Sequence, residues 1–459
     1  MVNNLFLKNV PKASPRIELL LVATVTTTVL LSPLPQIRIY AATTSQQPVT
    51  ISFWHCWGGE REPWMKEVIQ DFQKQYPWIT VEQTLLDTTG HLEKLLAQFA
   101  AGIMPDVAMI TQSETVELAD KGALLPLDHF IQKHGIDLNI FYKSDVTAFN
   151  WKGQQYALPM PSSGGNSGIV FYNKDLFEEA GLNAQTGPRT WQDIETAGRK
   201  LTTFYPDGRI KTIACHLAPS AVRFVTLLYN NAGMMISDDA RRILYHSPEG
   251  IETLDWMVEY TEKVNRGLDR AQAFYRPYPG NDAFYKGVEA IRFSGVSFFA
   301  ALSKQEPRLD YGVALYPYNS RNPNAKPAGV TGLVFGWGYG IPQKKRPSAQ
   351  EEAAFLLIRW LTTSVKGAGW FPMMQGRPSA IRGLNKHEGY FAVNPHWNVV
   401  LAELEAEIAI PVTPVHSQIM KALEKALVPA FSRERSAKAV LADAAAEAQR
   451  MLDAYWAKQ

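Results

Sequence analysis

Three carboxylates, Glu60, Asp87 and Glu114, follow three successive apolar segments that read as strands. Carboxyls at adjacent strand ends could be spatial neighbours, and a pair about 5 to 9.5 Å apart can serve as acid and as nucleophile or base on a glycosidic bond. The same groups can accept hydrogen bonds from ligand hydroxyls. Each also has a local reading. Glu60 favours the dipole of a following helix, Asp87 opens the turn Asp87-Thr88-Thr89-Gly90, and Glu114 completes the capping box Thr111-Gln112-Ser113-Glu114. Nothing marks two of the three as a catalytic pair. The chain has no G-x-S-x-G, H-E-x-x-H or G-x-x-x-x-G-K-[ST] pattern, so the hydrolase, zinc-protease and nucleotide readings lack a motif. Its nine histidines form no i, i+4 pair. Adjacent His55 and Cys56 leave only a weak metal reading, and Cys56 is more simply a small buried residue.

Sugar recognition needs flat aromatic faces for the apolar side of a ring, and carboxylates, amides or guanidinium groups for its hydroxyls. Trp57, in Trp57-Gly58-Gly59-Glu60, follows the first strand, where it can point into a cleft or pack at a helix start. Ser113 follows the third strand, although the capping box accounts for it without a ligand. Trp337, in Gly336-Trp337-Gly338, sits on a Gly-flanked strand as cleft wall or core. Arg377, in Gln375-Gly376-Arg377-Pro378, can fork onto a phosphate, carboxylate or vicinal hydroxyls, or stand as a surface Arg on a Pro/Gly loop.

The elements that position these residues follow from periodicity. Val49–Trp54 reads as a buried strand ended by Gly58-Gly59. Trp64, Val68, Phe72 and Tyr76 recur every four residues on a helix that stops before Pro77. A strand Ile79–Leu85, a helix on Leu92, Leu95, Leu96 and Phe99 closed by Gly102, and a strand Asp106–Ile110 continue the series. This β-α-β-α-β order predicts a mainly parallel, covered sheet. A second α/β run begins near Gly168 with strand Ile169–Tyr172, helix Lys174–Ala180 and a Thr190-capped helix, and Ala290–Phe299 reads as a strand leading into a helix. Helices dominate after Gln350, ending in one whose stripe is Val440, Ala444, Ala448, Met451 and Tyr455. The expected architecture is two α/β lobes with a helical C-terminal region.

The length of 459 residues, with 20% charged and 46% hydrophobic, fits two or three folded domains or two lobes sharing the chain. Lys8, Lys12 and Arg16 precede an apolar run from Ile17 to Leu34, and Ala41 and Ala42 follow, which predicts a secretory signal peptide over residues 1–41. Its removal takes four basic residues and only Glu18, so the formal charge moves from +2 to −1. A near-neutral chain without a basic run excludes affinity built on nucleic-acid phosphates. Two cysteines, Cys56 and Cys215, exclude a disulfide scaffold, and no lipobox Cys ends the apolar run.

Four segments, in order, carry a family resemblance: Ile51-Ser52-Phe53-Trp54-His55 with Phe72-Gln73-Lys74-Gln75-Tyr76-Pro77; Ala100-Ala101-Gly102 running into Pro105-Asp106-Val107; Val170-Phe171-Tyr172-Asn173-Lys174-Asp175-Leu176-Phe177 with Ala180-Gly181-Leu182 and Pro188-Arg189-Thr190-Trp191; and Tyr311-Gly312-Val313-Ala314-Leu315-Tyr316-Pro317. In these the chain resembles the extracellular solute-binding proteins of carbohydrate-type ATP-driven (ABC) importers, the family of maltose-binding and glycerol-3-phosphate-binding proteins. The resemblance implies an α/β, two-lobed periplasmic-binding-protein fold of type II with discontinuous lobes. Lobe one would take 48–160 plus 311–345, and lobe two 161–310 plus 346–459. It further implies a carbohydrate or polyol-phosphate ligand closed into the interlobe cleft by a hinge, no cofactor, no metal, membrane permease subunits as partners, and an exported, monomeric protein. Ser162 and Asn166, in the small polar stretch at the first lobe crossing, become candidate ligand or hinge residues. His216 and Arg223 lie where relatives carry a cleft aromatic, and Arg377 where relatives place a Gly-aromatic-Pro motif. Cys56 and Cys215 fall in different lobes, so they are expected as two free, buried thiols. A secreted glycoside hydrolase using a carboxylate pair is the alternative.

Overall fold

A computed structural model describes residues 47–88, 90–162, 168–306, 308–331 and 336–458. The expected signal peptide and the crossing residues 163–167, Asn166 among them, lie outside these. Strand Val49–His55 (β1) alternates, burying Ile51, Phe53 and His55 on one face. It pairs in parallel with Ile79–Leu85 (β2) and Val107–Thr111 (β3). Parallel neighbours need crossovers, which helices Arg61–Gln75 (α1) and His91–Ala101 (α2) supply. Helix α1 buries Met65, Val68, Ile69 and Phe72, and Gly102 ends α2 in the left-handed conformation. The expected capping box opens Gln112–Asp120 (α3): Glu114 N donates to Thr111 Oγ1 at 3.2 Å, and Thr111 N to Glu114 Oε2 at 2.7 Å. Short strands Leu124–Leu125 (β4) and Ala157–Pro159 (β5) follow before the chain leaves this lobe.

The second lobe is built on Ile169–Asn173 (β6), all five residues of which are buried. Helices Ala221–Tyr229 (α4) and Pro248–Asn265 (α5) precede the next strand of this sheet, Ile291–Ser294 (β7), and helix Ser297–Gln305 (α6) leads to Tyr311–Leu315 (β8). Both β7 and β8 pair antiparallel with β6, in registers Ile291↔Tyr172 and Gly312↔Tyr172. Strand alternation turns Val170, Tyr172 and Ala314 toward a core shared with α4 and α5. Ile169, Phe171 and Val313 face a second core containing Trp397 and Tyr390. A sheet covered on both faces accounts for the unbroken apolar run of β6.

The chain then returns to the first sheet. Trp337–Pro342 (β9) pairs antiparallel with β3, β4 and β5, so the first sheet is mixed rather than wholly parallel. Helix Ser348–Thr363 (α7) packs its Phe355, Leu357, Ile358 and Leu361 face under β1 and β9. Trp397–Ala406 (α8) lies across β6 and β8. His416–Phe431 (α9) and Ala437–Trp456 (α10) pack on each other and on α4 and α5.

These pairings move the lobe boundaries expected at 311 and 346. Strand β8 belongs to the second sheet, and α7 packs on the first. The apolar pattern of Tyr311–Leu315 marks a strand, but periodicity carries no information about which sheet accepts it. Both cysteines are free and buried, as expected, and burial pushes the Cys215 thiol up to about 12. No described helix is long and apolar enough to cross a membrane.

Candidate functional site

In lobe one, the ends of β1 and β3 and the start of β9 gather several polar groups. Trp337 is opposite Thr111 in the β3–β9 ladder. Ser113 Oγ lies 3.4 Å from Thr111 Oγ1. His91, the first residue of α2, sets its Nδ1 2.9 Å from Glu114 Oε1, with both side chains buried. Its ring meets that of Trp337 edge to face at 5.8 Å and 83°. Burial opposes protonation of His91, and hydrogen bonding to Cys56 and Glu114 more than offsets that cost, raising the imidazole to about 10. Glu114 therefore fixes the α3 N-terminus and holds a cationic His91 against the Trp337 ring.

Between the lobes lies a cavity of about 530 Å³. Glu60, Arg61 and Trp64 line it from lobe one, Ser297 and Lys304 from α6 of lobe two, and Gln375 and Arg377 from the loop that follows helix Phe371–Met374. Glu60 and Lys304 form an ion pair across the opening, both side chains well exposed. Arg61 donates from Nε to Gly58 O at 3.2 Å and lies over the Trp57 ring at 5.4 Å. Burial, then the neighbouring charge of Arg61, pushes the Arg377 guanidinium down to about 10. The volume is in the range of pockets that hold small organic ligands.

The expected site residues divide. Glu60 and Arg377 line this cavity together. Ser162 is buried, and its backbone N–H donates to Pro378 O at 3.1 Å, which ties the first crossing to the Arg377 loop. Trp337 and Ser113 sit together in the lobe-one cluster. Asp87 is exposed just beyond β2. Trp57 is core rather than cleft wall: it is 1% exposed, donates from Nε1 to Tyr339 Oη at 2.8 Å, and meets Phe371 edge-on at 5.4 Å. His216 and Arg223 pair inside lobe two, where an Arg223 Nη1–H donates to the His216 carbonyl and the guanidinium covers Phe293 at 4.9 Å. His216 stacks on Tyr275 at 5.7 Å, and burial followed by the Arg223 charge lowers it to about 4. Neither residue lines the Arg377 cavity.

Sequence reading passed over Arg61, His91 and Lys304. Arg61 was within reach, since it follows Glu60 at the helix start. His91 and Lys304 acquire their partners only by folding, Lys304 from 244 positions away. Among the described residues no cluster of His, Cys, Asp and Glu could hold a metal. A second cavity of about 520 Å³ lies between Trp151 and Gln155 of lobe one and Asp239 and Trp456 of lobe two. None of the residues following β1 or β2 lines it, whereas Glu60 and Arg61 line the Arg377 cavity.

The profile of bacterial extracellular solute-binding proteins matches residues 67–392, most of the described chain. The chain belongs to this family. Among relatives of this extracellular solute-binding protein is the sn-glycerol-3-phosphate-binding periplasmic protein UgpB of Shigella flexneri, 22% identical over 383 residues that cover 80% of this chain and 83% of the relative. Solved structures similar in fold include an ABC substrate-binding protein of Listeria monocytogenes in complex with cycloalternan, with TM-score 0.74, 20% identity and coverage of 89% and 100%. UgpB of Mycobacterium tuberculosis in complex with glycerophosphocholine aligns with TM-score 0.71, 19% identity and coverage of 89% and 99%. At such identities the structural likeness establishes the two-lobed fold, and the solute-binding protein's own cleft residues must speak for its ligand.

Proposed function

We propose that this chain is the exported solute-capturing component of an ABC importer, which closes a sugar, oligosaccharide or glycerol-phosphate-type solute between its lobes and delivers it to membrane permease subunits. The observation that carries this reading is the 530 Å³ cavity with walls from both lobes and from the Arg377 loop. Solute that touches both walls stabilises the closed arrangement through contacts the open one lacks. The names of relatives that bind maltose, cycloalternan and glycerophosphocholine support the solute class.

The protein does no chemistry on its solute in this reading. Glu60 is engaged by Lys304, and Glu114 by His91 and the Thr111 amide, so neither carboxylate stands as an available acid or base. The test is a thermal-shift panel of mono-, di- and oligosaccharides and glycerol phosphates, with chromatography of each compound after incubation. A compound that raises the melting temperature and is recovered intact supports capture. Product formation that disappears in Glu60→Gln or Asp87→Asn would establish the hydrolase instead.

A further inference from the structure

Among the described residues, the cavity between the lobes carries an excess of positive charge that no carboxylate neutralises. Arg61, Lys304 and Arg377 line it with one carboxylate, Glu60, and that carboxylate is committed to Lys304. Among the described residues Arg61 and Arg377 have no ion-pair partner, and the Arg377 side chain has no hydrogen bond. Burial first and the charge of Arg61 second depress Arg377, and two half-buried guanidinium groups lining one cavity without a countercharge are electrostatically costly. The backbone adds to the same field. Arg61 is the first residue of the 15-residue helix α1, and Ser297 the first of α6, so two helix N-termini open onto the cavity.

From this arrangement we infer that the solute is anionic, with a phosphate or carboxylate group forked by Arg61 and Arg377 and a hydroxylated skeleton filling the remaining volume. Arginine presents N–H groups in a planar fork that matches both anions, whereas a neutral sugar leaves the two charges facing each other. Ser297 and Gln375 supply neutral donors and acceptors, and Trp64 an apolar face, for the uncharged part. The inference rests on the solute-capture reading and narrows it to one chemical class.

The experiment is calorimetric titration of the exported-form chain with matched compounds: sn-glycerol 3-phosphate and glycerol, glucose 1-phosphate and glucose, galacturonate and galactose. The expected result is that an anionic member binds, its neutral counterpart binds at least about tenfold more weakly, and Arg61→Gln or Arg377→Gln removes about tenfold of the difference. The phosphate and uronate arms show which anion is preferred. Phenylglyoxal labelling of the unmodified protein, read by mass spectrometry, is independent of how the variants fold. Inorganic phosphate should protect Arg377 and Arg61 and leave exposed Arg209 unprotected. Unprotected Arg377, or a neutral sugar bound as tightly in the Gln variants as in the parent, overturns the inference. A neutral sugar that contracts the protein in solution scattering leaves solute capture standing while the anion assignment falls. An anion that binds at Arg377 without contraction does the reverse.

Discussion

Glu60, on the helix start of lobe one, is ion-paired to Lys304, on α6 of lobe two. The pair spans the mouth of the cavity and is exposed at both ends, so solvent and salt screen it. Its expected contribution is to lobe closure rather than to folding. Lys304→Ala should change the melting temperature of the unliganded protein little, the effect of an exposed pair being below about 1 kcal/mol. Solute affinity should shift by a few fold and lose part of its salt dependence. A large loss of fold stability would show that the pair belongs to the core architecture.

Trp57 separates a core role from a ligand role. Its indole is buried against Phe371 and donates to Tyr339 Oη. Trp57→Ala should cost about 3–5 kcal/mol of folding stability in denaturant titrations. Trp57→Phe keeps much of the packing and should cost about 1 kcal/mol for the lost hydrogen bond. If Trp57→Phe instead abolishes solute binding at unchanged stability, Trp57 is a cleft residue after all.

His91 makes stability depend on pH in a defined window. Its folded value, raised to about 10, lies above the ordinary 6.5. Below 6.5 both folded and unfolded chains carry the proton, and the stabilisation is fully present. As pH rises toward 10 the unfolded chain releases the proton first, so the stabilisation is progressively lost. Melting temperatures from pH 6 to pH 10 should therefore fall more steeply for the parent than for His91→Gln. Parallel slopes would remove the cationic His91 from the description.

Gly168, just before β6, and Gly329 are packed against one side chain. An added Cβ at Gly168 or at Gly329 would overlap the carboxylate of Glu403 on α8. Gly168→Ala should weaken solute binding and lower the melting temperature, because the clash forces the two segments away from Glu403. Adding Glu403→Ala to Gly168→Ala should recover part of the melting temperature. No recovery would place the constraint elsewhere.

Both thiols should resist an aqueous thiol reagent in the folded protein, and two per chain should react on unfolding. A disulfide between Cys56 and Cys215 would contradict their separate positions in the two lobes.

Much of the fold could be read locally. The period-two burial of Ile51 and Phe53, the capping box at Thr111 and Glu114, and the continuous run of β6 are all properties of short segments. What escaped reading was long-range choice. Tyr311–Leu315 is a strand in either lobe until hydrogen bonds to Asn173 and Ile169 assign it. Trp57 reads equally as cleft aromatic or packing residue until Tyr339, 282 positions later, takes its N–H. At the site, Arg377 was legible as a fork on a Pro/Gly loop. Its partner Arg61 stood next to a residue already singled out, and what sequence could not supply was the missing countercharge.

Solution scattering of the full exported-form chain, with and without a compound that raises its melting temperature, tests the central claim most directly. Capture between the lobes predicts a smaller radius of gyration on binding, lost together with binding in Arg377→Gln. A bound compound that leaves the radius unchanged, with Arg377→Gln binding it as tightly as the parent, would contradict the account.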